Sequence, residues 1–311
     1  MPPRPILVTG AGGFVGQHLI PALHAAFPDT RIVGTGLSAD SAHALDITDA
    51  GAVRSLFTAL QPRFCIHLAG IAAISAARAD PSQTWQVNFF GALNVGRAIL
   101  DAAPDCGLLF VSSSEVYGAS FKSGLALDET APLAPMNIYA ASKAAAEMGL
   151  CALAADGLRV IRLRPFNHTG PGQREDFVVP AFAGQIARIE AGLAPPEMLV
   201  GNLDSERDFL DIRDVCAAYI ACLQKFDALA NNQAINIATG TARRIGAVLD
   251  ILLQQSDREI AVRQDPRRMR ASEIVRAAGN AKLALELLGW QPRFGLDETL
   301  RWILQDLRAV K

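Results

Sequence analysis

A doubly wound α/β fold with a parallel sheet is predicted by three features of the sequence. Short apolar runs alternate with longer stretches of helical spacing. Most of the runs are too apolar to present one face to water, as suits strands buried on both sides of a parallel sheet. A glycine cluster, Gly10-Ala11-Gly12-Gly13-Phe14-Val15-Gly16, stands directly after the first run.

The runs at 6–8, 31–33, 65–68, 108–111 and 159–163 read as strands, and the stretches 14–26, 84–102 and 138–155 as helices. From His168 the texture changes. Residues 168–206 hold glycines, prolines and a helical stretch at 182–191; helix 215–224 and strand 234–237 return to the sheet; 241–311 read as mostly helical, broken at Gly279, Gly289 and Pro292. The expected division is a dinucleotide-binding domain of residues 1–167 plus about 207–240. A smaller, mostly helical substrate domain takes about 168–206 plus 241–311. Helices 84–102 and 138–155 are rich in small residues, which suits either a two-fold helix-bundle homodimer or simple packing on the sheet.

Composition narrows the class. The 311 residues are 50% hydrophobic and 19% charged, enough for a sizeable core and too little charge for a disordered chain. The 29 Lys and Arg nearly cancel the 31 Asp and Glu, so no basic excess points to nucleic acid or an anionic membrane as main partner. No apolar run reaches the roughly 18 residues of a membrane helix, and no secretory signal pattern is present. The five cysteines are scattered, without a CxxC or a neighbouring His cluster. The expectation is free thiols in a reducing cytoplasm and no metal site.

Gly10, Gly13 and Gly16 have the spacing of a phosphate cradle. Such glycines allow a tight turn, close approach of backbone to a pyrophosphate, and close helix–strand packing; the helix N-terminus offers free N–H groups. After the second strand, an acid would favour NAD(H) and an Arg NADP(H). The sequence has Gly34-Thr35-Gly36-Leu37-Ser38, so the choice stays open, with Ser38 as a ligand for either. Asp46-Ile47 places a carboxylate near the adenine, or Asp46 caps a helix.

Tyr139 and Lys143 lie four residues apart on one predicted helix and share a face. An ammonium near a phenol favours the phenolate, and a phenol so tuned exchanges protons with a carbonyl or hydroxyl. Ser113 and Glu115 follow the fourth strand run, beyond whose carboxyl end substrates of open sheets bind. Ser113 is expected to hydrogen-bond the substrate oxygen. Glu115 is either an acid or base on a neighbouring carbon or a solvated charge.

Taken with His67-Leu68-Ala69-Gly70, Asn88 and Arg164-Pro165-Phe166-Asn167, these motifs make the chain resemble, over essentially its whole length, an extended short-chain dehydrogenase/reductase of the NAD-dependent epimerase/dehydratase type. The resemblance implies a Rossmann domain and a nucleotide-sugar substrate. It also implies hydride and proton transfer by Ser113, Tyr139 and Lys143, with Asn88 positioning the lysine through water. Cofactor contacts are implied at Gly10, Gly13, Phe14, Val15, Gly16, Ser38, Asp46, Ile47, Leu68, Ala69, Gly70, Asn88, Tyr139, Lys143 and Arg164.

The segments Phe166-Asn167-His168 and Gly201-Asn202-Leu203-Asp204 resemble the GDP-mannose branch of that family, and residues 209–215 are closer to its 4-keto-6-deoxymannose reductases than to its dehydratases. By that resemblance Ser113, Glu115, Asn167, Val179, Arg207, Arg270 and Glu273 contact a GDP-sugar, with Arg207 and Arg270 at the diphosphate and Glu273 at the ribose. Ion pairing with Asp208 or Asp211 is the competing account of Arg207. The implied reaction is reduction of GDP-4-keto-6-deoxy-D-mannose to GDP-D-rhamnose. A GDP-mannose 4,6-dehydratase or another epimerase is the rival enzyme, and Glu115 as base would favour it. A non-catalytic cofactor-binding sensor is the other class; it often loses the Tyr or Lys, and both are present.

Overall fold

The computed structural model describes residues 3–37, 43–268 and 274–309. Seven parallel strands form the main sheet: β1 (Ile6–Thr9), β2 (Ile32–Gly36), β3 (His43–Ala44), β4 (Phe64–His67), β5 (Gly107–Val111), β6 (Val160–Pro165) and, after the excursion described below, β10 (Gln233–Ile237). Their spatial order is β10-β6-β5-β4-β1-β2-β3. The chain winds outward from β1 in both directions, so the switch point lies at the carboxyl ends of β1 and β4. Strand residues are buried on both faces, as the unbroken apolar runs require.

One face carries α2 (Ala50–Leu60), α5 (Gly91–Ala102) and α6 (Ile138–Ala155), which share a core with Leu7, Val33, Cys65, Leu108 and Phe110. The other carries α1 (Phe14–Ala26) and α8 (Ile212–Lys225), packed on Ile6, Val8, Ile66, Leu109 and Leu163. Helices α1 and α6 have the bounds their apolar spacing predicts. The stretch predicted as one helix at 84–102 is α4 (Pro81–Trp85), a π-helical turn over Gln86–Phe90 and α5, preceded by a short α3 (Ile74–Ala79). The wide turn holds Asn88, which is buried.

The second unit contains α7 (Val178–Glu190), α9 (Ile245–Gln254) and α11 (Leu296–Ala309), whose apolar faces meet around Phe182, Ile186, Leu249, Leu300 and Ile303. Beside these helices lie short strands that the sequence pattern does not announce. β7 (Asn167–Thr169), β9 (Glu206–Asp211), β11 (Ala242–Arg244) and β13 (Arg276–Ala277) form one small sheet, and β8 (Glu197–Val200) with β12 (Ala261–Gln264) another. They are two to six residues long and several are half exposed, so they leave no apolar run.

The expected domain boundary needs one correction. Helix α10 (Lys282–Leu288) and Trp290 pack into the first domain's core, against α8 and β10, and the Trp290 indole donates to the Asp214 carbonyl at 3.0 Å. Leu288 and Trp290 bury their apolar surface there because β10 ends the sheet and offers an uncovered flank. The 127–129 segment covers the same edge. The Asn236 N–H donates to the Glu129 carboxylate at 2.7 Å, and the Asn236 amide donates to the Leu127 carbonyl at 3.0 Å.

Among the described residues no helix is long and apolar enough to cross a membrane, and no group of three His, Cys, Asp or Glu side chains is placed to hold a metal ion. All five cysteines are free thiols.

Candidate active site

The cradle forms where β1 turns into α1. Gly10 has φ +72°, and a Cβ there would lie 2.6 Å from the Ala69 amide nitrogen. A Cβ at Gly16 would strike the Ala11 backbone. Over Gly12 the space is open. The N-cap is Gly13, with no side-chain hydrogen bond to close the helix end, so the first N–H groups of α1 are left without a capping side chain, beside the 68–69 backbone that approaches Gly10. These residues fit a dinucleotide pyrophosphate: a narrow turn, an uncapped helix dipole and no acidic side chain in the first turn.

Ser38 lies outside the described residues. Asp46 is exposed, and its carboxylate accepts from the Thr48 N–H and hydroxyl at 2.9 and 2.7 Å. It is not the helix cap; Asp49 is, accepting from Ala52 N at 3.0 Å. The Ile47 side chain is buried against Gly91, and its carbonyl accepts from Asn94. Asn88 clamps the segment after β4: it accepts from Ile71 N at 2.8 Å, and donates to Ile71 O and to the Ser142 hydroxyl at 3.0 Å each. Gly70 lies beside both Asn88 and the Lys143 ammonium.

Ser113, Glu115, Tyr139 and Lys143 converge at the carboxyl end of β5. Residues 112–114 leave that strand, and α6 begins opposite them with Asn137 as N-cap. The Tyr139 phenol and the Ser113 hydroxyl are hydrogen-bonded. Burial pushes the Tyr139 phenol up to about 12, the bond to Ser113 pulls it back, and the Glu115 charge raises it further. Burial, Ser113 and Glu115 set this value, and Lys143 is not among its causes. The Lys143 ammonium is buried and donates to the Val111 carbonyl at 2.9 Å. Burial brings its own pKa down to about 8, opposed by the negative charge of Glu147.

His67 lies under this group, its Nδ1 2.7 Å from the Thr9 hydroxyl and its ring stacked on Phe110. Burial, then the nearby Lys143 charge, lowers its pKa to about 3. His168 is not in the constellation; it stacks on Phe14 and its Nδ1 pairs with the Phe166 carbonyl.

On the substrate side, Arg207 approaches Glu115, whose charge supports the half-buried guanidinium against desolvation. It also donates to the Glu206 carbonyl at 2.8 Å. Neither Asp208 nor Asp211 pairs with it: Asp208 accepts from Thr239, Gly240 and Gly279, and Asp211 from Arg213 and Thr299. Asn167 opens β7 alongside Phe209.

Two expected contacts are corrected. The Val179 side chain is 1% exposed in the second core and so cannot reach a ligand. The Arg164 guanidinium is buried behind the sheet, bonded to Glu147, to the Tyr117 hydroxyl and to the Glu129 carbonyl, so it is not a cofactor ligand. Arg270 and Glu273 lie outside the described residues.

Sequence reasoning missed Glu147 and Asn137. Glu147 carries a signal in retrospect, as a carboxylate four residues after Lys143 in a helix otherwise rich in alanine. Asn137 carries a weaker one, an N-cap residue type just ahead of Tyr139.

A phosphate cradle at the switch point and a Ser-Tyr-Lys set at the carboxyl end of β5, on a seven-stranded parallel sheet, define an extended short-chain dehydrogenase/reductase. Residues 7–303 match the family described as GDP-mannose 4,6 dehydratase, and the chain belongs to that family. It is 36% identical to GDP-6-deoxy-D-mannose reductase of Pseudomonas aeruginosa, over 97% of this chain and 96% of the relative. It is 29% identical to GDP-6-deoxy-D-talose 4-dehydrogenase of Aggregatibacter actinomycetemcomitans, with the same coverage. A solved structure described as RMD from Pseudomonas aeruginosa complexed with NADPH superposes with TM-score 0.88 at 34% identity, covering 98% of this chain and 99% of that one.

Proposed function

We propose that the chain reduces the C4 ketone of GDP-4-keto-6-deoxy-D-mannose to GDP-D-rhamnose. The observation that carries this reading is the Tyr139–Ser113 pair: a phenol that burial keeps protonated, beside a hydroxyl able to bind the same substrate oxygen. The likeness to the 36% identical reductase supports the choice of sugar. Gly10, Gly13 and Gly16 and the first turn of α1 would hold a reduced nicotinamide dinucleotide, which would supply the hydride. As C4 accepts it, Tyr139 gives its proton to the ketone oxygen and Ser113 orients that oxygen. Lys143 brings a positive charge close to the phenol as it ionises, and Tyr139 is then reprotonated from water. Arg207 of β9 would bind oxygens of the diphosphate, and Asn167, paired with Phe209 of the same strand, would contact the sugar or diphosphate.

A second reading, 4,6-dehydration, is favoured by Glu115, a carboxylate facing both Tyr139 and Arg207 and placed to take a proton beside a transient ketone. The deciding experiment offers the purified protein GDP-4-keto-6-deoxymannose with NADPH or NADH. Loss of reduced-nicotinamide absorbance supports the reductase and ranks the cofactors. No loss, with conversion of GDP-mannose to the keto sugar, overturns it in favour of the dehydratase. NMR of the product separates GDP-D-rhamnose from its C4 epimer.

We place this reaction in the cytoplasm, which suits five free thiols. We also propose a homodimer through α6 and the π-helical turn that leads into α5, where Met148 is 60% and Phe90 46% exposed.

A further inference from the structure

Helix α6 meets the end of β5 in register. Tyr139, Lys143 and Glu147 are spaced by four and form one stripe along the helix. They engage three consecutive residues of the strand end. Tyr139 bonds Ser113, Lys143 donates to the Val111 carbonyl, and Glu147 Oε1 accepts from the Ser112 hydroxyl at 2.5 Å. Ser112 is in turn tied to β6, its N–H donating to Leu163 O at 2.8 Å.

Glu147 is 0% exposed, and among the described residues its hydrogen bonds go to Ser112, Arg162 and Arg164. Arg164 donates to it from Nε and Nη2, and Arg162 from Nη1, at 2.7–3.2 Å. Burial alone would raise its carboxyl, but these cations and Ser112 hold it below the ordinary value. The carboxylate is therefore a fixed negative charge one helical turn beyond Lys143.

We propose that Glu147 is a positioning residue for the proton-transfer set. Its grip on Ser112 fixes where Ser113 stands, and its charge keeps the neighbouring Lys143 in the ammonium form. The groups facing Lys143 are few. His67 of β4 approaches it as a neutral ring, Asn88 and the Val111 carbonyl are uncharged, and Tyr139 is a protonated phenol. Arg162 and Arg164 of β6 face Glu147. Glu147 is thus the carboxylate that acts on Lys143.

This inference rests on the reductase reading for its kinetic arm only. Two variants separate it from a role in merely neutralising two arginines. Ser112→Ala leaves both Arg–Glu147 pairs intact, since Oε1 keeps its 3.0 Å bond from Arg164 Nε. It is expected to lower kcat about tenfold with KM little changed, because a misplaced Ser113 costs rate rather than binding. Glu147→Gln keeps the shape and removes the charge. Its alkaline limb in the pH–rate profile is expected about one pH unit lower.

The second arm needs no turnover. In ligand-free protein, a 15N NMR titration of the Lys143 ammonium, assigned with Lys143→Arg, is expected to move to lower pH by the same amount in Glu147→Gln. Wild-type kcat in Ser112→Ala together with an unmoved Lys143 titration overturns the proposal. Should Glu147→Gln fail to fold, Ser112→Ala decides alone. Absence of turnover by the wild type fails the reductase reading and leaves the NMR arm to decide this one.

Discussion

Asn137 ties the start of the catalytic helix to Glu115. Its Oδ1 accepts from Ala140 N at 2.8 Å, and its Nδ2 donates to Glu115 Oε2 at 3.2 Å. One amide thus caps α6 and sets the rotamer of the carboxylate that faces Arg207. Asn137→Ser keeps a cap and loses the tether, whereas Asn137→Asp keeps a cap and sets two carboxylates against each other. Both are expected to hold thermal stability near wild type, while kcat/KM falls about fivefold in Ser and further in Asp. Equal activity in all three proteins would show Glu115 to be held by something else.

Removing the phenolic proton should separate chemistry from binding. Tyr139→Phe is expected to lower kcat by about 10²–10⁴ while NADPH still quenches tryptophan fluorescence with near wild-type affinity. Retained turnover would assign the proton to another group.

His67 makes stability sensitive to acid. Its folded pKa is lowered from 6.5 to about 3, so below 6.5 the unfolded chain binds a proton that the folded one refuses. The stability contributed is full above 6.5 and is lost as pH falls towards 3. Each pH unit in that window costs about 1.4 kcal/mol. Urea midpoints at pH 7 and pH 5 should show wild type losing about 2 kcal/mol more than His67→Asn, which does not titrate. Equal losses would place the acid-sensitive group elsewhere.

Gly10 cannot take a side chain without moving the far wall of the cradle. Its φ of +72° and the 2.6 Å approach to Ala69 N both act against Gly10→Ala. The expected cost is about 1–3 kcal/mol in stability. Because the same movement disturbs the pyrophosphate site, NADPH affinity measured by fluorescence should drop at least about tenfold. An unchanged Kd would put the dinucleotide elsewhere.

The proposed dimer predicts that charge on α6 and on the π-helical turn before α5 yields monomers. Phe90→Asp combined with Met148→Glu should run at half the wild-type mass in light scattering. A wild type that is already monomeric removes the proposal.

Strands β1, β4, β5, β6 and β10 of the main sheet were legible because they are largely buried and read as apolar runs, whereas the two-residue, part-exposed β3 was not. Ser113, Tyr139 and Lys143 stood out through the company of motifs around them, since a Tyr and a Lys four residues apart are common by chance. The small strands β7 to β9 and β11 to β13 were not legible, since half-exposed strands of two to six residues carry no period. Arg164 misled because a buried arginine and a ligand-binding arginine look alike until the partner, Glu147, is seen across the fold. Of the two readings of Asp46 only the helix cap fails, the cap being three residues further on at Asp49.

Strand β10 reaches the sheet late. Gln233 pairs with Ile161, so the whole segment from β7 through α8 is made before the last strand can dock on β6. During synthesis β6 waits as an open edge, with Arg162 and Arg164 already committed to Glu147 but no neighbour for its outward amides. At ribosomal speeds of about 5–20 residues per second that exposure lasts several seconds. A chain stalled or clipped within it presents a ready template for intermolecular β-pairing, which makes the interval the point of greatest dependence on chaperones.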